Sequence, residues 1–375
     1  MNKLILISLS IFLLQGCFLK ENPISSSMKD DSFLDEILKN KENHELQIIY
    51  TEIKRDKEGE PDFIDFEFQV DENNYFYPAS SIKLPIVILT LDKINELRSE
   101  GINVSLKSKI TLSPLDQEMS LTQKDSITSF QNLIADIFLV SDNSASNVLI
   151  DFVGYNHFNN KMNQAGFNKT YLNHKFSPDP YYTIDWEIKT MLNDRISSNE
   201  DRDIVTADDN TLGLKKGEKK FKDGIVEFGS LDFSQKNRSS IMDMHNIIKR
   251  IIFPSKFDDD NAFNLNVEDY DFLRYWMSRF TYEDLGNKFT TDKKYFESYN
   301  KFFIHGVDTV VTNKNIRVYN KIGQAYGTSV DNAYIRNYQD DVEFFLTATI
   351  YTNKNNIIND NVYEYDETAI PFLAK

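Results

Sequence analysis

Apolar and polar residues alternate through HELQIIYTEI and FIDFEFQV, the two-residue period of strands with one buried face. The turn-rich KRDKEGEPD between them predicts that the two strands form a hairpin. From Leu84 to Leu97 the pattern changes, and LPIVILTLDKINEL is apolar on most faces in its first half, as expected of a helix at a domain centre. FQNLIADIFLVSDNSASNVLIDFVG keeps helical periodicity on both sides of a polar Ser-Asp-Asn group, and YNHFNNKMNQAGF predicts another helix. The middle of the chain is charged and Asn-rich, with IMDMHNIIKRII and DYDFLRYWMSRF as its clearest amphipathic helices. Strand patterns return at IRVYNKIGQAYG, DNAYIRNY and DVEFFLTATIYT. Strands at both ends with helices between them predict one sheet closed by both termini, an α+β, three-layer α/β/α plan without internal repeats.

The first residues do not fit that plan. MNKLILISLSIFLLQGC places Lys3 before an apolar stretch, Leu4 to Leu14, that is too short to span a bilayer and suits a signal peptide. Leu14-Gln15-Gly16-Cys17 resembles a bacterial lipoprotein box, so residues 1–16 are expected to be removed and Cys17 to carry the lipid. FLKENPISSSMKDD then reads as a flexible spacer up to residue 31, with the folded domain from 32 to 375 and insertions between about 177 and 310. The expected location is exported and lipid-anchored, on the periplasmic or extracellular side of a bacterial membrane. Cys17 is the only cysteine, which excludes an internal disulfide and a Cys-rich metal site.

Charge narrows the partners. Lys and Arg number 42 against 58 Asp and Glu, a formal −16, and no basic run offsets it, so nucleic acid is not an expected partner. The five histidines, His44, His157, His174, His245 and His305, form no H-x-x-x-H pair, and no metal is expected. G-x-S-x-G, G-x-G-x-x-G and G-K-[ST] are all missing, so no nucleotide or other cofactor is expected either.

Three short elements carry candidate chemistry. In Ser80-Ser81-Ile82-Lys83 a helix would set the Lys83 amine one turn from the Ser80 hydroxyl. A desolvated lysine can take the proton of such a serine, and a helix N-terminus offers N–H groups where an oxyanion would form. Ser-x-x-Lys recurs at Ser26–Lys29 and Ser298–Lys301, but only Ser80 opens a long, buried-looking helix. In Ser141-Asp142-Asn143, Ser141 could relay a proton and Asn143 could hold a substrate carbonyl or the lysine; a helix cap is the alternative reading of the same tripeptide. Lys321-Ile322-Gly323 lies on a strand-like run, and Lys-x-Gly also occurs at Lys57, Lys215 and Lys222, so its weight comes from its place in the order.

That order, with YPASSIKLPIVIL, VSDNSASNVLI, Trp276-Met277 and NKIGQAYGTSVDNAYI around it, resembles the class A β-lactamase and penicillin-binding-protein superfamily over roughly residues 32 to 375. The resemblance implies a five-stranded antiparallel sheet flanked by helices beside an all-helical lobe, with the site between them. It implies Ser80 as acylated nucleophile, Lys83 as base or relay, and Ser141 as proton donor to the leaving group. Asn143 would orient the substrate amide, Lys321 of the third motif, with Gly323, would supply positive charge toward a substrate carboxylate, and the N–H groups of Ser80 and Gln324 would form an oxyanion hole. The implied substrate is a β-lactam or another amide or ester in the cell envelope, handled by a monomer. A peptidoglycan D-Ala-D-Ala peptidase and a non-catalytic envelope-binding protein are the alternatives. Two departures stand out. Ile322 replaces a hydroxyl residue, and in YLNHKFSPDPYYTIDWE, aligned on Leu172, the place of the family's deacylating glutamate falls near Phe176. Asp179, Asp185 and Glu187 are the nearby acids, Tyr171 is read as packing, and the aromatic wealth as core filling with an unlocated carbohydrate platform as the alternative.

Overall fold

A computed structural model describes residues 22–114, 126–177, 182–186, 203–207, 212–257, 263–284, 286 and 288–375. The predicted hairpin is present as β1 (Gln47–Arg55) and β2 (Pro61–Phe68), paired antiparallel with Tyr50 opposite Phe66. The late strands are β3 (Ile316–Asn320), β4 (Gly323–Ala325), β5 (Thr328–Asn337) and β6 (Val342–Tyr351). They complete one antiparallel sheet in the order β3-β5-β6-β1-β2, with β4 pairing the other end of β5. Both chain ends therefore meet at the β1–β6 seam, as the pattern requires.

Both faces of the sheet are covered, which explains why β5 is buried on both sides from Thr328 to Ile335. Ile48 and Ala348 join a cluster with α1 (Pro23–Lys29), α2 (Ser32–Lys39) and α9 (Ile370–Ala374), while Ile49 packs on the opposite face against Met244 of α7 (Ile241–Ile252). The stretch expected to be a flexible spacer is ordered from Asn22 onward, a correction with a simple cause. Asn22 caps α1, and Met28 is buried against the sheet, so residues 22–31 belong to the fold. Cys17 lies outside the described residues.

Beside the sheet stands a helical lobe of α3 (Lys83–Ser99), α4 (Phe130–Val140), α5 (Asn143–Val153), α6 (Tyr155–Gln164) and α8 (Val267–Met277), which shares one large core. α3 is buried without interruption from Lys83 to Ile94, so the apolar text of its first half marks its central position. Between α6 and α7 the chain makes a long excursion whose ends are clasped together. Tyr171 and Arg238 exchange two backbone hydrogen bonds of 2.8 and 2.9 Å, and the Asn237 carboxamide accepts from the N–H groups of Asn173 and His174. The excursion adds short hairpins at 215–216 with 231–232 and at 219–222 with 225–228, the latter extended by 357–358.

Candidate active site

Ser80 sits in a single turn of 3₁₀-helix, Ala79–Ile82, that leads directly into α3. Ala79 holds φ = 49°, a left-handed conformation that costs a non-glycine residue roughly 1–3 kcal/mol and needs firm surroundings. The surroundings come from β4. A Cβ on Gly323 would lie 2.4 Å from Pro78 O and 2.8 Å from Ser81 N, so the strand backbone abuts the serine turn and only glycine fits there. Ser81 is buried and donates to Pro78 O, whereas Ser80 is half-buried, lines an open cleft of about 480 Å³, and its hydroxyl makes no hydrogen bond among the described residues.

One turn on, Lys83 is fully buried, and its amine donates to Ser141 O at 2.5 Å and Asn143 Oδ1 at 2.6 Å. The tripeptide Ser141-Asp142-Asn143 divides its tasks. Asp142 is the N-cap of α5, accepting from Ala145 N at 2.7 Å, so the cap reading holds for that residue. Ser141 closes α4 in the left-handed region at φ = 57°, which turns its hydroxyl to receive a 2.8 Å bond from Lys321 Nζ. Asn143 bonds Lys83 with its oxygen and Ser177 O with its nitrogen. The three motifs, far apart in the chain, therefore meet around Ser80.

Burial pushes the Lys83 amine well below the ordinary lysine range, and the Lys321 ammonium pushes it the same way, with Asp142 opposing. Burial also lowers Lys321, to about 7, against the pull of Asp331. A neutral amine has two N–H groups and one lone pair. In that form Lys83 would have acceptors for both N–H groups, Ser141 O and Asn143 Oδ1, and a lone pair as its remaining valence.

The Phe176 ring lies 4.6 Å from Lys83 Nζ, an apolar cover where the sequence comparison placed a glutamate. Its backbone is held on both sides by Asn147, whose oxygen accepts from Phe176 N and whose nitrogen donates to Phe176 O. Asp179 and Glu187 lie outside the described residues, and Asp185 pairs with Thr111 in a separate small sheet. Ile322 points away from the cleft into the cluster of Phe303, Val318 and Ala333, so the lost hydroxyl is not exchanged for an apolar group in the cleft itself. Gln324 does line the cleft, its carboxamide tied to Ser329 Oγ.

Sequence reasoning missed most of the cleft wall. Tyr77, Tyr326, Tyr363 and Tyr365 line it with Asn359, Asn361, His174 and Lys236. Tyr77 packs edge-on to Tyr326 at 5.1 Å and parallel to His174, and the Tyr365 hydroxyl accepts from Gly327 N. These residues come from loops with no periodicity, so no local pattern marks them. One acidic cluster lies elsewhere: Asp92, Glu96 and His157 bring ligand atoms within 4.8 Å of one another. Lys161 already neutralises it, 3.1 Å from Asp92 and bonded to Glu96, and none of these residues lines the cleft.

The same architecture recurs in solved structures. A variant of PBP-A in an acyl-enzyme complex with penicillin G is 14% identical over 93% of this chain and 95% of its own, with a TM-score of 0.52. A β-lactamase from Xanthomonas campestris pv. campestris is 13% identical over 91% of this chain and 94% of its own, at 0.51. Another, from Desulfarculus baarsii, is 13% identical over 94% and 98%, at 0.50. At such identities the likeness is one of fold. No match is found among the curated proteins. Residues 31–370 match the β-lactamase enzyme family as a whole, and the chain belongs to that family.

Proposed function

We propose that the protein is a serine hydrolase that works by acyl transfer through Ser80, on a β-lactam or another amide or ester of the cell envelope. Family membership supports a hydrolase, and the observation that carries the finer reading is the uncommitted Ser80 hydroxyl facing a cleft beside a buried lysine of lowered pKa. In this reading Ser80 Oγ bonds to the substrate carbonyl carbon as its proton passes to the Lys83 lone pair. The carbonyl π electrons move to oxygen, beside the N–H groups of Ser80 and Gln324. Collapse then breaks the bond to the leaving nitrogen or oxygen, which takes the proton held on Lys83, relayed through the Ser141 hydroxyl. Asn143 and Lys321 hold Lys83 and Ser141 in place.

Hydrolysis of the acyl-enzyme needs a water and a base. Phe176 covers Lys83 where a carboxylate would serve, which favours a slow second half-reaction and penicillin-binding-protein behaviour. Intact-mass spectra over time with benzylpenicillin test both halves. An adduct on wild type and none on Ser80→Ala supports the nucleophile, and its lifetime measures deacylation; equal adducts on both proteins reject Ser80 as nucleophile, and no adduct on either with no loss of drug rejects the β-lactam as substrate. The lipid anchor is part of the same proposal: Cys17→Ser should move the protein from the membrane pellet to the soluble fraction, and an unchanged distribution would reject it.

A further inference from the structure

The cleft carries a charge that neither the motifs nor the family order assigns. In a chain of formal charge −16, no Asp or Glu lines it among the described residues. Its lysines differ in availability. Lys175 is paired with Asp151 at 2.6 Å, and Lys321, beneath the cleft, is spent on Ser141 Oγ and Ile322 O. The Lys236 amine makes no hydrogen bond or ion pair among the described residues and stands 5.8 Å from the centre of the Tyr326 ring. Burial alone depresses its pKa, with no carboxylate offsetting the cost.

The backbone at Lys236 is firmly placed. Lys236 N donates to Phe233 O, its carbonyl accepts from Asn173, and the next residue, Asn237, clasps the two ends of the excursion. A partly desolvated ammonium held over an aromatic face, in a cleft whose described lining holds no Asp or Glu, is a site for an anion. We infer that Lys236, delivered by the excursion between α6 and α7, is a specificity-determining residue that anchors a carboxylate on the substrate, in place of the buried Lys321. The inference rests on the reading of this cleft as the substrate site. Asn359, Asn361 and Gln324 offer neutral hydrogen bonds around that charge, so the expected ligand is a monoanion with amide groups.

The test separates binding from chemistry. Benzylpenicillin and its methyl ester differ at the carboxylate, which the ester caps with a methyl group and leaves uncharged, and their binding to the detergent-solubilised full-length Ser80→Ala protein is measured by calorimetry. The acid is expected to bind at least about tenfold tighter than the ester, as a hydrogen bond to a charged group supplies. Adding Lys236→Met should collapse that ratio toward one, and Lys236→Arg should keep most of it. An equal affinity for acid and ester, no binding of either, or a ratio that survives Lys236→Met would overturn the inference. Failure of the acyl-transfer reading shows separately, as wild type that prefers the acid yet forms no Ser80-dependent adduct. Far-ultraviolet circular dichroism of Lys236→Met and Lys236→Arg checks that both remain folded.

Discussion

Ser80-x-x-Lys83 and Ser298-x-x-Lys301 both bury their lysine completely, and both amines donate to one backbone carbonyl and one asparagine oxygen. Lys83 uses Ser141 O and Asn143 Oδ1; Lys301 uses Met277 O and Asn320 Oδ1, at 2.6 and 2.7 Å. Burial lowers the pKa of each, that of Lys301 to about 7. The serines differ. Ser298 is buried and its hydroxyl donates to Asp308 O, whereas Ser80 is half-buried, without a hydrogen bond among the described residues, and open to the cleft. A depressed lysine is thus not enough to mark a nucleophile, since structural burial produces the same shift. What separates the pair is a hydroxyl without a commitment of its own, held by a left-handed Ala79 and by the close approach of Gly323.

The largest expected effect breaks the comparison at its serines. Ser80→Ala should abolish the penicillin adduct in intact-mass spectra, while Ser298→Ala should still form it. Next come the lysines. Lys83→Met should slow acylation by about 10²–10⁴, the range of a lost general base, and stopped-flow rates measured beside Lys301→Met should show only a few-fold change in the latter. Phe176→Glu should shorten the lifetime of any adduct by at least about tenfold, by placing a base near the acyl group; an unchanged lifetime would show that the ring is not what slows deacylation.

The smallest effect concerns stability. Lys301→Met removes the partner of two buried acceptors and should cost about 1–3 kcal/mol, read as a lower denaturation midpoint. Its pH dependence has a definite sign. Lys301 in the folded protein titrates at about 7 against an ordinary 10.5. Between those values the folded state has released a proton that the unfolded chain retains, so this group makes stability rise with pH across that window and weakens it as pH falls toward 7. Wild type should therefore gain on Lys301→Met between pH 7 and 10; a constant difference would show that Lys301 is not desolvated as the fold implies.

Much of the fold was legible because its elements have a period. The β1–β2 hairpin, the buried α3 and the break between α4 and α5 at Ser141-Asp142 all announce themselves in the spacing of apolar residues. The spacer was misread because FLKENPISSSMKDD shows too few apolar positions to reveal that Met28 has a core to enter. Lys236 and the tyrosines of the cleft left no local trace, since a wall built from segments far apart in the chain has no period.

By itself, the sequence determined most element types from Ser32 onward and the three motifs in family order, because each of these depends on neighbours within a few turns of chain, and strand patterns at both ends of the chain pointed to the shared sheet. Only the tertiary structure decided which Ser-x-x-Lys opens to a cleft, that Ile322 faces away from it, that Phe176 covers Lys83, and that Lys236 stands there with no carboxylate paired to it among the described residues. Those properties are set by burial and by distances between residues far apart in the chain, and desolvation and charge pairing do not exist until the chain has folded.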